Sequence, residues 1–204
     1  MDLEGLPCLV VGGGKVAERK VVTLLSCGAK VTLVSPDVTP LLNRLRQKRR
    51  IACFIRKYKT SDVRGMRIVI GATGDAIANE RIFKDAEVRG IPVNIVDQPH
   101  LCRFIVPAVI AHRDISIAIC TGGAAPGITA IMRQELEQGL FKKYPGLVAA
   151  LKGLRPRLKM LSPGQKEAFW KKLKAPASLK TVFAKANPRP VIEKWLLEIK
   201  GRNI

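Results

Sequence analysis

The strongest constraint on the fold lies near the N-terminus, where an apolar run ends in three glycines and an amphipathic stretch follows at once. The run Cys8–Val11 predicts a strand and Gly12-Gly13-Gly14 predicts a tight turn, after which Lys15 and Val16 begin a helix. A second β-branched run, Lys30–Val34, predicts the next strand. A strand, a glycine turn, a helix and a second strand together form the unit that binds dinucleotides.

The spacing of small residues in this turn favours a phosphate ligand. Gly12 would allow the turn, Gly14 would let the backbone approach a pyrophosphate, and Ala17 would let the helix pack on the strand. The N–H groups of Lys15 and Val16 at the start of the helix would then face the phosphates. The alternative is a tight turn without a ligand, since glycine clusters end strands in many proteins.

The end of the second strand is where such units place an acid that binds the adenine ribose. Here the chain reads Ser35-Pro36-Asp37, and we expect all three residues at the cofactor. No arginine follows the strand immediately to meet a 2′-phosphate, which favours NAD over NADP, although Arg44 and Arg46 lie close in sequence. Asp37 could equally cap the next helix.

Three further short runs predict strands of the same sheet, at residues 51–55, 67–71 and 91–96. Ligands of open α/β sheets bind at the carboxyl ends of the strands. We therefore expect Thr73, just after the fourth strand, beside the nicotinamide ribose. Asp75 has a simpler interpretation as the N-cap of the following helix.

Composition indicates a chain with one moderate domain and an appendage, because 204 residues with 47% hydrophobic content can bury a sizeable core. The apolar runs are strand-sized and no basic segment precedes a long apolar stretch, so we expect no membrane association and a cytoplasmic location. The five cysteines are widely spaced and include no C-x-x-C pair. This pattern predicts reduced thiols rather than a disulfide framework or a zinc site.

The formal net charge of +20 predicts an anionic partner or substrate. Basic residues concentrate in segments 44–59 and 142–202. Nucleic acid is one candidate, but these segments hold few aromatic residues for base stacking and no recognised binding motif. Solvated surface positions would account for many of the lysines.

Three ordered motifs carry a family resemblance: Gly12–Lys20, Asn94–Phe104 and Ile117–Gly127. In combination they closely resemble the precorrin-2 dehydrogenase family, also known as the N-terminal module of siroheme synthase. The resemblance extends from about Leu6 to the early 150s. It implies NAD-dependent oxidation of precorrin-2 to sirohydrochlorin and, in some members, insertion of ferrous iron, which is a substrate and not a bound cofactor. The essential aspartate of the family falls on Asp97.

Asp97 suits this chemistry, because aromatising precorrin-2 moves a hydride to NAD and releases a proton that a carboxylate can accept. Iron insertion also removes protons from pyrrole nitrogens, so one carboxylate can serve both steps. His100 could assist proton transfer, or it is an ordinary loop histidine. With only two histidines and no H-x-x-x-H pattern, the sequence predicts no dedicated metal site.

The third motif supplies the predicted substrate-binding residues Thr121, Gly122 and Gly123, which precede a helix that starts at Pro126. Family members often have serine and proline after the two glycines, whereas this chain has Ala125 and Pro126, so a hydroxyl role survives only at Thr121. A plain strand-to-helix turn would also explain the glycines. The tetrapyrrole substrate of the family carries many carboxylates, so the positive net charge can be explained by attraction of this substrate without any binding of nucleic acid.

The fold class expected is α/β, with three parts. Residues 1–112 form a Rossmann-type NAD-binding domain with a parallel sheet, 113–146 form a small strand-and-helix segment that family members use for homodimerisation, and 147–204 form a basic helical domain. Apolar spacing predicts helices at 147–161, 166–173 and 191–199, with Trp170 and Trp195 as packing anchors. The rival hypothesis is a regulator that senses NAD and binds nucleic acid through this last domain.

Overall fold

The structure is a computed structural model that describes residues 1–122 and 126–201. Contacts between residues divide the chain into two compact units, Met1–Val106 and a second unit that begins at Pro107.

The first unit is built on a parallel sheet of five strands in the order β3-β2-β1-β4-β5. Its strands are β1 Pro7–Val11, β2 Lys30–Ser35, β3 Ala52–Ile55, β4 Ile68–Gly71 and β5 Val93–Ile95. All pairings are parallel, as predicted from the short β-branched runs. The strand order reverses between β1 and β4, and ligands of such sheets bind at that reversal.

Helices cover both faces of the sheet. They are α1 Lys15–Ser26, α2 Pro40–Gln47 and α3 Ala76–Glu87, with single 3-10 turns at Thr60–Val63 and Pro99–Leu101. Alternate residues of β1 serve the two faces: Val10 packs in the cluster that contains Val21 of α1, and Leu9 packs in the cluster that contains Ile82 of α3. A strand covered on both faces has no polar side, which is why β1 reads as a continuous apolar run.

The described residues of the second unit, 107–122 and 126–201, form one hairpin and four helices. The strands β6 Ala108–His112 and β7 Ile115–Ile119 are antiparallel, and the helices are α4 Pro126–Lys159, α5 Pro163–Lys174, α6 Pro176–Phe183 and α7 Arg189–Lys200. The helices share a core that includes Leu154, Phe169 and Leu196. Among the described residues, no helix has the length and apolar content needed to cross a membrane.

The divisions expected from sequence differ from the structure in two places. The first domain was expected to extend to residue 112, but β6 belongs to the second unit because it pairs with β7. The expected boundary between 146 and 147 lies inside α4, which continues past Pro145. Leu147 and Leu154 are buried in the helical core, and this packing holds the helix despite the N–H that proline lacks. Helix α6 was not predicted.

Candidate cofactor and catalytic site

Loops at the carboxyl edge of the sheet border a cavity of about 520 Å³. They follow β1, β2, β3 and β4. The cavity is lined by five of the predicted cofactor residues, namely Gly12, Gly14, Ser35, Pro36 and Thr73. Lys15 and Val16 are the first residues of α1 and adjoin this lining. The structure therefore brings together residues that lie far apart in sequence.

Gly12 holds the first loop against its neighbours. Its φ of +115° belongs to the region that favours glycine, and a Cβ at this position would overlap the carbonyl oxygen of Ala72. Its N–H donates to the carbonyl oxygen of Val34 over 2.9 Å. The β1 loop thus contacts the ends of both β2 and β4, and no larger residue fits without moving backbone.

Gly14 has a different environment. It is the N-cap of α1, it makes no side-chain capping hydrogen bond, and a Cβ there would meet no atom within 4 Å. The first N–H groups of a helix need partners from outside the helix, and anions supply them well. The open space over Gly14 therefore fits a pyrophosphate at the start of α1, as the glycine spacing predicts.

Thr39, and not Asp37, caps α2. The hydroxyl of Thr39 accepts a hydrogen bond from the N–H of Leu42 at 3.3 Å and donates one to the Glu18 carboxylate. That bond, with help from the charge of Lys15, holds the pKa of Glu18 below its ordinary value. Asp37 is exposed and does not line the cavity, whereas its backbone carbonyl packs against Gly13.

The loop after β4 is fixed by its own side chains. The Thr73 hydroxyl donates to Oδ1 of Asn79 at 2.8 Å, and Nδ2 of Asn79 donates to the carbonyl oxygen of Thr73 at 3.1 Å. Asn79 is buried. Asp75 accepts a hydrogen bond from the N–H of Ala78 at 3.1 Å, which confirms its interpretation as the N-cap of α3. Thr73 is thus held at the cavity wall.

Two cations at the cavity were not predicted as site residues. Lys57 follows β3, and Arg81 lies on α3, where it donates to the hydroxyl of Thr60 at 2.8 Å. Between them Tyr58 donates to Asp85 at 2.8 Å, and burial together with that carboxylate raises the pKa of Tyr58. Lys57 belongs to a basic segment noted from composition, but only the sheet order reveals that it neighbours the β2 loop.

Asp97 lies at the same edge of the sheet, two residues after β5, and is exposed. Its φ of +60° is left-handed, a conformation that aspartate and asparagine tolerate better than most residues. The chain then turns through Pro99–Leu101 and returns beside β5, where the N–H of Arg103 donates to the carbonyl oxygen of Val93 at 2.8 Å. Asp97 is therefore carried on a short closed loop and does not line the cofactor cavity.

Lys20 on α1 is a half-buried cation that interacts with this loop. Burial lowers its pKa, and so does the charge of Arg19, whereas the negative charge of Asp97 acts in the opposite direction. Lys20 ends the first family motif, but nothing in that motif indicates a contact with a loop that lies about eighty residues later.

The other predicted residues are placed as follows. His100 is exposed on the 3-10 turn Pro99–Leu101. In the second unit, the Thr121 hydroxyl hydrogen-bonds that of Thr129 at 3.3 Å, and Gly122 has a φ of +64°. Gly123 lies outside the described residues. Within residues 1–122 and 126–201, no group of three or more His, Cys, Asp or Glu side chains is arranged to hold a metal ion.

Comparison with known proteins identifies the first unit. A family model described as "Putative NAD(P)-binding" matches residues 1–108, which is more than half of the chain. This chain belongs to that family. The match covers the whole sheet, the glycine loop and the closed loop after β5, so the NAD(P)-binding assignment agrees with the cavity described above.

Relatives at the sequence level are siroheme synthases. The chain is 38% identical over 172 residues to that of Methylobacillus flagellatus and 37% identical over 184 residues to that of Ectopseudomonas mendocina. These matches cover 83% and 89% of this chain but only 37% and 39% of the relatives. The chain therefore spans less than half the length of the siroheme synthases, and the family resemblance expected from the three motifs is confirmed.

A solved structure shares the fold. The structure titled "SirC, precorrin-2 dehydrogenase" superposes with a TM-score of 0.74 and covers 99% of this chain and 98% of its own, at 23% identity. The parallel sheet followed by a helical region is thus a fold already seen in one continuous chain.

Proposed function

We propose that this chain oxidises precorrin-2 to sirohydrochlorin with NAD, as part of siroheme synthesis. The observation that carries the proposal is the combination, at one edge of one sheet, of a dinucleotide cavity and a carboxylate on a closed loop. The similarity to siroheme synthases and the shared fold with a precorrin-2 dehydrogenase support it. No described feature favours the regulator hypothesis.

The residues present fit NAD. Gly12 and Gly14 allow the backbone to approach a pyrophosphate, and the start of α1 provides N–H donors. Ser35 and Pro36 would border the adenine ribose, and Thr73 would border the nicotinamide ribose. When bound, NAD supplies a hydride acceptor. The protein supplies the position of that acceptor and a place for the proton.

In the proposed mechanism Asp97 is the general base. Oxidation of precorrin-2 removes one hydride and one proton, and the exposed carboxylate is able to accept the proton. Lys20, a half-buried cation on α1, interacts electrostatically with this carboxylate. His100, three residues further on, would assist transfer to solvent.

The substrate would be held by charge. A tetrapyrrole with many carboxylates is attracted by the net charge of +20 and can accept hydrogen bonds from Thr121 and from the backbone at Gly122 and Gly123. Insertion of ferrous iron into the product would require removal of pyrrole protons, a step that Asp97 can also perform.

The free thiols of all five cysteines fit the cytoplasmic location proposed for this chemistry.

A homodimer is part of the proposal, formed through the segment 113–146. The side chains of Ile128, Ile131 and Met132 on α4 are exposed by 51%, 55% and 41%. Such a row of apolar side chains is stabilised when a second copy covers it. Sedimentation should detect a dimer at micromolar concentration that Ile131→Glu dissociates, whereas Val88→Glu, at a more exposed apolar position on the first unit, should leave it intact.

The decisive experiment is an anaerobic assay of the purified chain. Precorrin-2 and NAD are mixed, sirohydrochlorin absorbance is followed, and ferrous iron is then added. We expect absorbance of sirohydrochlorin to rise only when NAD is present. No product with either NAD or NADP, from a folded chain that binds the nucleotide, would contradict the proposed reaction.

A further inference from the structure

Two helices of the second unit form a groove with a volume of about 640 Å³, which we call the α4–α5 groove. Its α4 wall has residues at helical spacing, including Leu151, Lys152, Arg155 and Lys159, and its α5 wall has Lys166 and Trp170. Residues three and four apart lie on one face of a helix, so each wall is a continuous stripe. The volume is within the usual range of small-molecule sites.

The groove carries an excess of positive charge. It is lined by four cations, Lys152, Arg155, Lys159 and Lys166, and by one acid, Asp114. Lys152 pairs with Asp114 at 2.6 Å. None of the ion pairs formed among the described residues involves Arg155, Lys159 or Lys166. Three positive charges therefore surround the groove without a protein anion to balance them.

The floor of the groove is apolar and partly aromatic. Phe169 is almost fully buried beneath it, and Trp170 packs edge-on against Phe169 with ring centroids 5.3 Å apart. Trp170 nevertheless remains 42% exposed. The tryptophan is therefore anchored by one edge and offers ring surface to the groove, which is more than the packing role expected from sequence.

We propose that the α4–α5 groove binds a small planar aromatic anion with at least two negative groups. An aromatic ring would stack on Trp170 and cover Leu151, and carboxylates, sulfonates or phosphates would pair with Arg155, Lys159 and Lys166. An apolar floor alone would fit an uncharged ligand, and the cations alone would fit any anion. Their occurrence in one groove favours a ligand that is both aromatic and anionic. The inference uses residues of the second unit only and is independent of the proposed oxidation.

The test is calorimetric titration of the full chain with pyrenetetrasulfonate, a planar aromatic tetraanion. Inositol hexaphosphate serves as a polyanion without an aromatic surface. Because inositol hexaphosphate carries the larger negative charge, the two anions are compared by how much each loses when Trp170 is replaced, and we expect only pyrenetetrasulfonate to lose affinity. Saturation with NAD should leave the titration unchanged.

Variants locate the site. The double variant Lys159→Gln/Lys166→Gln should weaken pyrenetetrasulfonate about tenfold, and Trp170→Leu should weaken it about fivefold while leaving inositol hexaphosphate unaffected. Lys171→Gln is the matched control, because Lys171 is an exposed cation on α5 outside the groove lining. It should change affinity less than about twofold. Lys159 and Lys171 are exposed and Lys166 is half-buried. If Trp170→Leu unfolds, Trp170→Phe replaces it and should show a smaller loss in the same direction, because its ring is smaller.

Several outcomes would overturn the proposal. Equal losses for Lys171→Gln and the double variant would indicate diffuse surface charge. An equal loss of affinity for the two anions in Trp170→Leu would remove the aromatic component, and competition by NAD would place the probe in the cofactor cavity. Displacement by duplex DNA that depends on Lys159 and Lys166 would assign the groove to nucleic acid.

Discussion

The side-chain amide of Asn94 donates a hydrogen bond to the carbonyl oxygen of Phe104 over 2.9 Å, and so closes the loop that carries Asp97. Asn94 is buried in β5, and the same amide donates to the thiol of Cys102 at 3.4 Å. Asn94 thus ties two points of the returning chain, Cys102 and Phe104, to β5. This amide supports the loop of the proposed base together with the backbone hydrogen bond from Arg103 to Val93.

Asn94→Ala should destabilise the chain by about 1–3 kcal/mol, because the Phe104 carbonyl oxygen loses its buried donor. It should also lower the rate of oxidation, since the loop around Asp97 loosens. Urea unfolding measures the first effect and the anaerobic assay the second. Asn43→Ala on α2, where no side-chain hydrogen bond is present among the described residues, should stay within about 0.5 kcal/mol. A fully active Asn94→Ala would separate the loop from catalysis.

Asp97→Asn should lower the oxidation rate by about a hundred- to ten-thousand-fold, because an amide of the same size cannot accept the proton. Folding and NAD affinity should be unchanged, since asparagine also adopts the left-handed conformation of this position. Steady-state kinetics and calorimetric titration with NAD provide the two measurements. His100→Ala should lower the oxidation rate by a smaller factor than Asp97→Asn. Normal oxidation by Asp97→Asn would remove this carboxylate from the mechanism.

Gly12 and Gly14 should respond differently to substitution. Gly14→Val should fold and lose NAD binding, because the new side chain occupies open space needed by the pyrophosphate. Gly12→Ala should lower the melting temperature as well, since its Cβ meets the Ala72 carbonyl oxygen at a positive φ. Gly139→Ala, in open space on α4, is the control for both. A folded Gly14→Val with unchanged NAD affinity would show that the pyrophosphate lies elsewhere.

Lys57 should influence the choice between NAD and NADP. Asp37 does not line the cavity, whereas Lys57 does, and its positive charge would attract a 2′-phosphate. Lys57→Glu should therefore reduce NADP affinity relative to NAD by about tenfold. Lys48→Glu, the same charge change away from the cavity, should leave the ratio unchanged. The ratio of the two dissociation constants is the measurement, and an unaltered ratio for Lys57→Glu would exclude this role.

The Arg56–Asp62 pair should make stability depend on acid pH. Burial by itself would raise the pKa of Asp62, but two hydrogen bonds from Arg56, at 2.7 and 2.8 Å, and one from the N–H of Lys59 lower it overall. A folded-state pKa below the unfolded value adds stability above the unfolded pKa, and this stability is lost as pH falls through the folded pKa. Asp62→Asn should make the free energy of unfolding depend less on pH in this acid range. If the stability of Asp62→Asn fell with acid pH as much as that of the unchanged chain, the Arg56–Asp62 pair would not be the source of this dependence.

The sequence predicted the parallel sheet well because each strand is a short apolar run, and most of these runs are rich in β-branched residues and end near glycine, proline or aspartate. Gly12 and Gly14 were equally predictable, since only small residues suit a backbone that approaches phosphate. Lys20, Lys57 and Arg81 could not be found in this way. Each reaches its site through pairing of strands distant in sequence, and an isolated basic residue gives no sign of which loop it will face.

The local sequence pattern also could not predict that α4 continues past Pro145. Pro145 weakens a helix by removing one N–H, and the burial of Leu147 and Leu154 outweighs that loss only after the other helices have packed. Helix boundaries that depend on tertiary contacts in this way are visible only in the folded unit.

The left-handed backbone at Asp97 has a consequence for natural variation at this position. The conformation admits aspartate, asparagine and glycine at little cost and disfavours nearly every other residue. A descendant that exchanged Asp97 for asparagine or glycine would keep its loop, its sheet and its nucleotide cavity while losing the carboxylate that we propose as the base. If that proposal holds, a single-codon change here is a short evolutionary route from a dehydrogenase to a folded protein that only carries the dinucleotide.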